Sequence, residues 1–343
     1  MKIIVLSRSS WNEPHRIRQQ LAKLIAEKYQ IIYATPRADL GPGAQQRNIT
    51  FKNFPFIEKY SSVPLVSIVN AFFIWIYLNF QKDGVVVINF LPELVWVPKK
   101  IKRVISVIND DFSSMAPKIT RWWMRFIIER MAKNSYATLY VSKALIKKYP
   151  SKHSILFHPW ADKISFFKKE PNIILYWGYI STATDIGLIA KIADQIEKKS
   201  LNLKLLLIGP LASKKDKQLS ELIDSHPRIL EYRTPRGLSE IEMESVLCGL
   251  EPLSQGFENA NFVEMPNKAP RLLSYGVPIV YSGCVLENAS YFIKYEGDIE
   301  KIAFLINLYK EKISCDIDDF FLKNSSRSRL KIIDELINFR EGF

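Results

Sequence analysis

The sequence predicts two doubly wound α/β domains that face a cleft, each built on a parallel sheet covered by helices. The chain has 343 residues, which at roughly 150 residues per domain is enough for about two domains. Apolar runs of strand length alternate with amphipathic helical segments, and this alternation is typical of a parallel sheet. The alternation stops at the charged, proline-ended stretch FFKKEP and then starts again. We therefore expect a first domain over 1–165, a linker over 166–171, a second domain over 172–320, and a C-terminal helix over 321–343 that can pack back on the first domain.

The first half opens with a strand over 2–6, a helix that begins near Pro14 and ends near Lys28, and a second strand over 29–36. Further strands are predicted over 85–90, 103–110 and 137–142, and a helix over 117–133. The run 63–80 is the most apolar of the chain, and its 18 residues are borderline for a membrane span. Pro64, Asn70 and Asn79 interrupt it, so we expect a buried or interfacial helix.

The second half repeats the pattern. Strands are predicted over 172–181, 203–210, 229–233, 248–254 and 277–283, with helices over 186–198, 214–224, 239–246 and 267–275, and terminal helices over 297–312 and 321–339. The DxD-like stretch Asp316–Asp319 is interpreted as a solvated cap for the final helix. Three scattered cysteines and four histidines without metal-binding spacing predict no disulfide framework and no metal site.

The net charge of +13 is concentrated in one half of the chain. Residues 1–165 contain 25 lysines and arginines against 10 aspartates and glutamates, and residues 166–343 contain 23 against 25. The first half therefore carries all of the excess positive charge, and this asymmetry indicates an acidic partner that touches only the first domain.

In an open parallel sheet, ligands bind beyond the carboxyl ends of the strands. The second domain has no GxGxxG or Walker sequence at these positions. A predicted helix N-terminus at Asn267, with Lys268 beside it and Arg271 one turn on, would favour an anion. Candidate ligand-binding residues at this edge are Trp177, Gly178, Tyr179, Gly209, Pro210, Glu264, Asn267, Lys268 and Arg271.

The order of these segments over 172–283 resembles the nucleotide-binding half of GT-B glycosyltransferases, which have two Rossmann-like domains. In that family a lysine ahead of a Gly-x-Pro-Val segment holds the phosphates of the donor, and Lys268 with Tyr275-Gly276-Val277-Pro278 matches this pattern. The resemblance implies a nucleotide-sugar co-substrate, UDP-linked, and no other cofactor.

One departure narrows the resemblance. Many retaining members carry two glutamates eight positions apart, but the corresponding positions here are Val263, which Glu264 follows, and Arg271. The chain is closer in pattern to membrane-associated bacterial glucuronosyltransferases of xanthan-type assembly. That resemblance implies an inverting, metal-independent enzyme with an aspartate of the first domain as general base.

The segment that matches this base contains Asp110 and Asp111, and it lacks the glycine of the family pattern, so either residue can correspond. An inverting transfer needs a base that takes the proton of the acceptor hydroxyl. Two carboxylates at the end of a strand suit that role, although a loop acid that caps the helix near Ser113 would give the same pattern. His15 and Glu93 are the alternative candidates.

The helix KITRWWMRFIIERMAK interleaves tryptophans with cations. This pattern suits the interface of an anionic bilayer, and the membrane- or acceptor-facing candidates are Trp122, Trp123, Arg121 and Arg125. An ordinary core helix with a cationic face would look similar. The N-terminus lacks the pattern of a signal peptide, which favours a cytoplasmic protein on the inner face of the cell membrane.

The favoured hypothesis is a glycosyltransferase of hexosyl or uronosyl transfer in bacterial surface polysaccharide assembly, such as capsule or exopolysaccharide. Its expected partners are a nucleotide sugar, a lipid-linked or oligosaccharide acceptor and an anionic membrane surface, without nucleic acid. A sugar-nucleotide epimerase of the same fold is one alternative, and a noncatalytic nucleotide or nucleic-acid binder that uses the basic half is another.

Overall fold

The computed structural model describes residues 2–8, 10–11, 16–36, 47–164, 170–235, 237–254 and 256–338, apart from the side chains at 214 and 216. The chain divides into two compact units: Met1–Pro159 with Ser326–Phe343, and Trp160–Ser325. The first unit therefore ends a few residues before the predicted linker.

The N-terminal unit contains a seven-stranded parallel sheet in the order β3-β2-β1-β4-β5-β6-β7. In chain order its elements are β1 (Lys2–Leu6), α1 (Ile17–Ala26), β2 (Gln30–Thr35), β3 (Ile49–Asn53), α2 (Pro64–Asn79), β4 (Val86–Asn89), β5 (Arg103–Ile108), α3 (Phe112–Met115), α4 (Arg121–Asn134), β6 (Ala137–Tyr140), α5 (Lys143–Lys148) and β7 (Ser154–Leu156). The central strands are buried throughout, because helices cover both faces of a parallel sheet.

The apolar run of the first half forms the helix α2, with Pro64 in its first turn. Its buried Asn70 accepts a hydrogen bond from the backbone nitrogen of Ile57 (2.7 Å) and donates one to the carbonyl oxygen of Ile57 (2.9 Å). This polar anchor ties α2 to the segment that follows β3. In the part of the chain that the structure describes, no helix combines the length and apolar character needed to cross a membrane.

The C-terminal unit contains a six-stranded parallel sheet in the order β10-β9-β8-β11-β12-β13. Its elements are β8 (Ile173–Trp177), α6 (Ile186–Lys198), β9 (Lys204–Ile208), α7 (Asp216–Ser225), β10 (Leu230–Arg233), β11 (Val246–Pro252), α8 (Ala269–Leu273), β12 (Ile279–Ser282), β13 (Phe292–Lys294), α9 (Ile299–Leu308) and α10 (Lys310–Asn324). One apolar core lies on each face of this sheet.

Three local predictions differ from the structure. The predicted helix over 239–246 is wrong: two short 3-10 turns, Leu238–Glu240 and Met243–Ser245, lead into β11. The stretch Asp316–Asp319 is not a cap, because it lies inside α10, where Ile313 and Ile317 place one helical face in the core. The helix predicted over 267–275 is reduced to the five residues of α8.

The last helix, α11 (Ser326–Asn338), belongs to the N-terminal unit. Asp334 accepts a hydrogen bond from Lys28 Nζ (2.7 Å) and another from the hydroxyl of Tyr29. The buried Arg103, at the start of β5, donates to the carbonyl oxygens of Leu336 (2.9 Å) and Ile337 (3.1 Å). The C-terminal end of the described chain is thus fixed against α1 and β5.

Candidate functional site

Two glycines come into contact at the carboxyl edge of the second sheet. Gly178 follows β8 and Gly209 follows β9, and their φ angles of +146° and +151° are ones that L side chains rarely adopt. A Cβ added to Gly209 would lie 1.9 Å from the carbonyl oxygen of Gly178. Both positions therefore need glycine, and the two loops meet backbone to backbone at this edge of the sheet.

Lys268 lies beside this pair of glycines. A Cβ on Gly178 would be 3.9 Å from the Lys268 Nζ. That ammonium lies 2.9 Å from the Glu251 Oε2 and 4.1 Å from the centroid of the Tyr176 ring. The Lys268 side chain is 16% exposed and that of Glu251 10%, so the pair is mostly removed from water.

The charge of Lys268 is maintained by its neighbours. Burial by itself would lower its pKa, but the attraction of Glu251, with a smaller contribution from Tyr176, holds the pKa above the ordinary value. Burial, together with the negative charge of Glu251, also raises the pKa of the Cys284 thiol to about 12. Near neutral pH Lys268 is therefore charged and Cys284 is a neutral thiol.

A second cation lies close by. The guanidinium of Arg271, on α8, lies 5.7 Å from the centroid of the Trp177 ring. Burial lowers the pKa of Arg271, but an arginine keeps its charge at neutral pH. The structure therefore brings five predicted site residues to one edge of the sheet: Trp177, Gly178, Gly209, Lys268 and Arg271.

The remaining predicted residues of this domain lie in the adjoining loops. Tyr179 is exposed, and its carbonyl oxygen accepts a hydrogen bond from the Tyr176 hydroxyl at 2.8 Å. Pro210 and Asn267 are exposed as well. Glu264 is half-buried, and its carbonyl oxygen accepts from the Glu287 nitrogen at 3.2 Å.

The sequence reasoning missed Glu251, which binds Lys268, and Tyr176, whose ring lies under the ammonium. Glu251 is an acidic residue in the otherwise apolar strand segment CGLEP. A buried carboxylate needs a partner, so Glu251 by itself indicated that a cation lies close to this strand. The identity of the partner depends on how β11 and the loop before α8 meet, and the sequence pattern does not specify that.

The two candidate bases of the first domain differ in environment. Asp111 is fully buried, and its carboxylate accepts hydrogen bonds from Lys148 Nζ (2.6 Å), Ser113 Oγ (2.8 Å) and the Tyr149 hydroxyl (2.5 Å). Burial by itself would raise the pKa of Asp111, but these hydrogen bonds, that of Lys148 foremost, hold it below the ordinary value. A carboxylate in this state is a poor proton acceptor.

Asp110 is half-buried and accepts a hydrogen bond from the side-chain amide of Asn109. It follows β5 at the carboxyl edge of the first sheet. His15, the other predicted catalytic residue, lies outside the described residues. Glu93, a further alternative, is fully buried and forms an ion pair with Arg8.

The predicted membrane-facing residues divide between surface and interior. Trp122 is 65% exposed, whereas Trp123 is half-buried and packs against Phe126 with 5.4 Å between ring centroids. Arg125 is exposed and pairs with Glu129 at 2.8 Å. Arg121 donates to the carbonyl oxygens of Ala116 (3.3 Å) and Ser114 (3.2 Å), so it holds the end of α3.

Trp122 belongs to a larger apolar surface. A cavity of about 170 Å³ lies between α2 and α4, and Ile68, Trp96 and Phe126 line it and are also exposed. On the same face of α2, Phe72 and Trp75 stack with 6.2 Å between their centroids. We call these residues the apolar face: Ile68, Phe72, Trp75, Trp96, Trp122 and Phe126.

Among the described residues, no group of three His, Cys, Asp or Glu side chains is arranged to hold a metal ion. Both sheets have doubly wound order, and two closely packed glycines lie at the carboxyl edge of the second sheet. Two such parallel-sheet domains in one chain are the architecture of the GT-B fold.

Solved structures agree with this fold. HepE of Anabaena, solved with UDP and glucose, has a TM-score of 0.68 and 12% identity, over 99% of this chain and 100% of that one. The lipopolysaccharide outer-core galactosyltransferase WaaB has a TM-score of 0.66 and 12% identity, over 98% and 99% of the two chains.

TarM of S. aureus, solved with UDP and other ligands, has a TM-score of 0.56 and 14% identity. The match covers 78% of this chain and 59% of TarM, so the chain spans less than two thirds of TarM. Neither the protein-family models nor the curated proteins gave a match to this sequence.

Proposed function

We propose that this protein is a glycosyltransferase that moves a sugar from a nucleoside-diphosphate sugar, UDP-linked, to a glycan or lipid-linked acceptor. The observation that carries the proposal is the cluster at the edge of the second sheet, where Lys268 lies beside the glycines Gly178 and Gly209. The fold supports the same reading, since HepE was solved with UDP and WaaB is a galactosyltransferase.

The chemistry of the cluster suits a diphosphate leaving group. As the bond between sugar and phosphate breaks, negative charge develops on the phosphate oxygens, and a fixed cation in a poorly hydrated site stabilises it. Lys268 is such a cation, and Arg271 one turn on supplies a second. The glycines let the phosphates approach the backbone without a steric clash.

In this proposal the transfer is inverting, and Asp110 is the general base. It is the better candidate of the pair because Asp111 already binds Lys148, Ser113 and Tyr149. The base takes the proton of the acceptor hydroxyl while that oxygen attacks the anomeric carbon and the nucleoside diphosphate leaves.

The N-terminal unit would then rest on an anionic membrane surface, as expected for the assembly of a bacterial surface polysaccharide. The apolar face supports this, because large exposed apolar patches mark interaction sites. Arg125 and Arg130, on the same helix as Trp122, are exposed cations suited to anionic lipid headgroups.

A panel of UDP-, GDP- and dTDP-linked sugars tested for thermal stabilisation of the purified chain examines the donor assignment. We expect UDP-sugars to raise the melting temperature, and Lys268→Met to abolish the shift. If no nucleotide stabilises the wild-type protein, the assignment is wrong. Chromatography of the sugar product separates transfer from epimerisation, since an epimerase returns an isomeric nucleotide sugar without an acceptor.

A further inference from the structure

A second built cluster lies at the carboxyl edge of the N-terminal sheet, where Arg8 follows β1 and Glu93 follows β4. The Glu93 side chain is fully buried, and its Oε1 accepts a hydrogen bond from Arg8. Arg8 also donates to Ser61 Oγ at 3.0 Å, and its guanidinium lies 5.1 Å from the centroid of the Phe56 ring. Glu93 and the loop between β3 and α2, which contains Phe56 and Ser61, thus fix the orientation of one guanidinium.

Part of the hydrogen-bonding capacity of this pair is unused. Within the described ranges, neither the Glu93 Oε2 nor the Arg8 Nε has a hydrogen-bond partner, although both atoms are buried. A buried carboxylate oxygen without a donor is costly, and native proteins retain such groups rarely. The Arg8 side chain is 29% exposed, so a ligand would meet the guanidinium first, and it would reach the two buried unpaired atoms only after a shift of that side chain.

The unused atoms indicate the chemistry of the ligand. An unpaired acceptor on Glu93 and an unpaired donor on Arg8 complement a hydroxyl group, which both donates and accepts a hydrogen bond. The carboxylate cancels the charge of the guanidinium and disfavours an anionic ligand. A neutral molecule with several hydroxyl groups, such as a sugar, fits this arrangement.

The position of the pair specifies which sugar of the reaction it would hold. Strand β4 lies between β1 and β5, so Glu93 and Asp110 follow neighbouring strands at the same edge of the sheet. Neighbouring strands are about 4.8 Å apart, so the ends of β1 and β5, with β4 between them, are about 10 Å apart, a distance that a sugar with its hydroxyl groups can span. We propose that Arg8 and Glu93 bind hydroxyl groups of the acceptor sugar next to the base. The assignment of that sugar as the acceptor rests on the proposed function.

The test uses direct binding, so that it does not depend on turnover. A panel of n-octyl glycosides (gluco, galacto, manno and N-acetylglucosamine) is titrated against the full chain by saturation-transfer difference NMR. We expect the wild-type protein to bind at least one of them, and Arg8→Lys to weaken that binding about tenfold or more, because the planar guanidinium is lost.

Two further variants control for folding. Phe56→Leu keeps the ion pair and removes the ring that orients Arg8, so it should weaken glycoside binding with the fold intact. Arg103→Lys changes a buried arginine at the opposite edge of the same sheet and should bind the glycosides like the wild-type chain. Stabilisation by UDP should be unchanged in all three variants.

A wild-type protein that binds none of the glycosides would overturn the inference. So would Arg8→Lys and Phe56→Leu variants that are folded and bind within twofold of the wild type. If UDP fails to stabilise the wild-type protein, the donor assignment is contradicted instead. The failures of the two proposals can therefore be told apart.

Discussion

At the residue scale, the most informative contact is the ion pair between Lys268 and Glu251. Its oppositely charged groups lie 2.9 Å apart with little access to water. Breaking such a pair from one side leaves an unpaired buried charge and is strongly destabilising, whereas replacing both partners is often tolerated. A bound diphosphate would compete with Glu251 for the same ammonium. In the proposed function the pair would therefore affect both stability and donor binding, and the two effects can be measured separately.

We expect Lys268→Met to lower the free energy of unfolding by roughly 3 kcal/mol, because Glu251 loses its partner. The double variant Lys268→Met with Glu251→Gln should recover most of this loss. Neither variant should bind UDP. Urea unfolding and UDP titration measure the two effects separately.

Lys199→Ala is the matched control, since Lys199 pairs with Asp298 and Glu300 at an exposed site of the same domain. It should bind UDP normally. A double variant that still binds UDP as tightly as the wild-type chain would remove Lys268 from the donor site.

Substitutions of Asp110 and Asp111 should have different effects, because the two carboxylates have different surroundings. Asp110→Asn should reduce the turnover of a UDP-sugar with an acceptor by roughly a hundredfold or more, because the base is lost, without changing UDP affinity. Asp111→Asn should mainly lower stability, since Lys148 and Tyr149 lose their acceptor. If the Asp110→Asn variant turns over substrate as fast as the wild-type protein, Asp110 is not the base.

At the scale of elements, α2 and α4 show how far local pattern predicts structure. The proline at the start of α2 and its polar interruptions correctly predicted a helix packed on the domain. The sequence did not reveal that α2 and α4 flank one cavity and present aromatic residues together. That arrangement requires the packing of two segments separated by two strands.

The apolar face predicts membrane binding that two substitutions should remove. Trp122→Ser with Phe126→Ser should weaken binding to vesicles that contain phosphatidylglycerol by at least tenfold, because each buried aromatic side chain contributes about 1.5–3 kcal/mol. Co-sedimentation with vesicles measures the change. Binding should also fall when phosphatidylglycerol is replaced by phosphatidylcholine.

Phe304→Ser is the control, because Phe304 is an exposed aromatic residue of the other unit. It should leave vesicle binding unchanged. Equal binding by the wild-type chain and the double variant would show that the apolar face does not contact lipid.

At the scale of the whole molecule, the return of α11 to the N-terminal unit brings together residues distant in sequence. The buried Arg329 of α11 lies 4.8 Å from the centroid of the Phe157 ring, next in sequence to His158. Burial, with the positive charges of Arg329 and Lys143, lowers the pKa of His158 to about 4. The folded state therefore excludes a proton that the unfolded chain binds near its ordinary pKa of 6.5.

The lowered pKa of His158 predicts that the folded protein loses stability as the pH falls. Above pH 6.5 His158 is neutral in both states, and as the pH falls toward 4 the unfolded chain gains the proton first. The free energy of unfolding should therefore decrease by about 2 kcal/mol between about pH 7 and about pH 5 through this residue. Urea unfolding of the wild-type chain and His158→Phe measures it. Parallel pH profiles for the two proteins would contradict the prediction.

The sequence predicted most of the strands and the two-domain organisation, because periodicity and turn residues act over a few neighbouring positions. The contacts of Glu251 with Lys268, of Lys148 and Tyr149 with Asp111, and of Arg8 with Glu93 became visible only in the folded protein. Each of these contacts joins segments that are far apart along the chain, and no sequence periodicity relates such segments. Their geometry is set by how strands and loops pack, since a buried charge is stable only where folding delivers a partner.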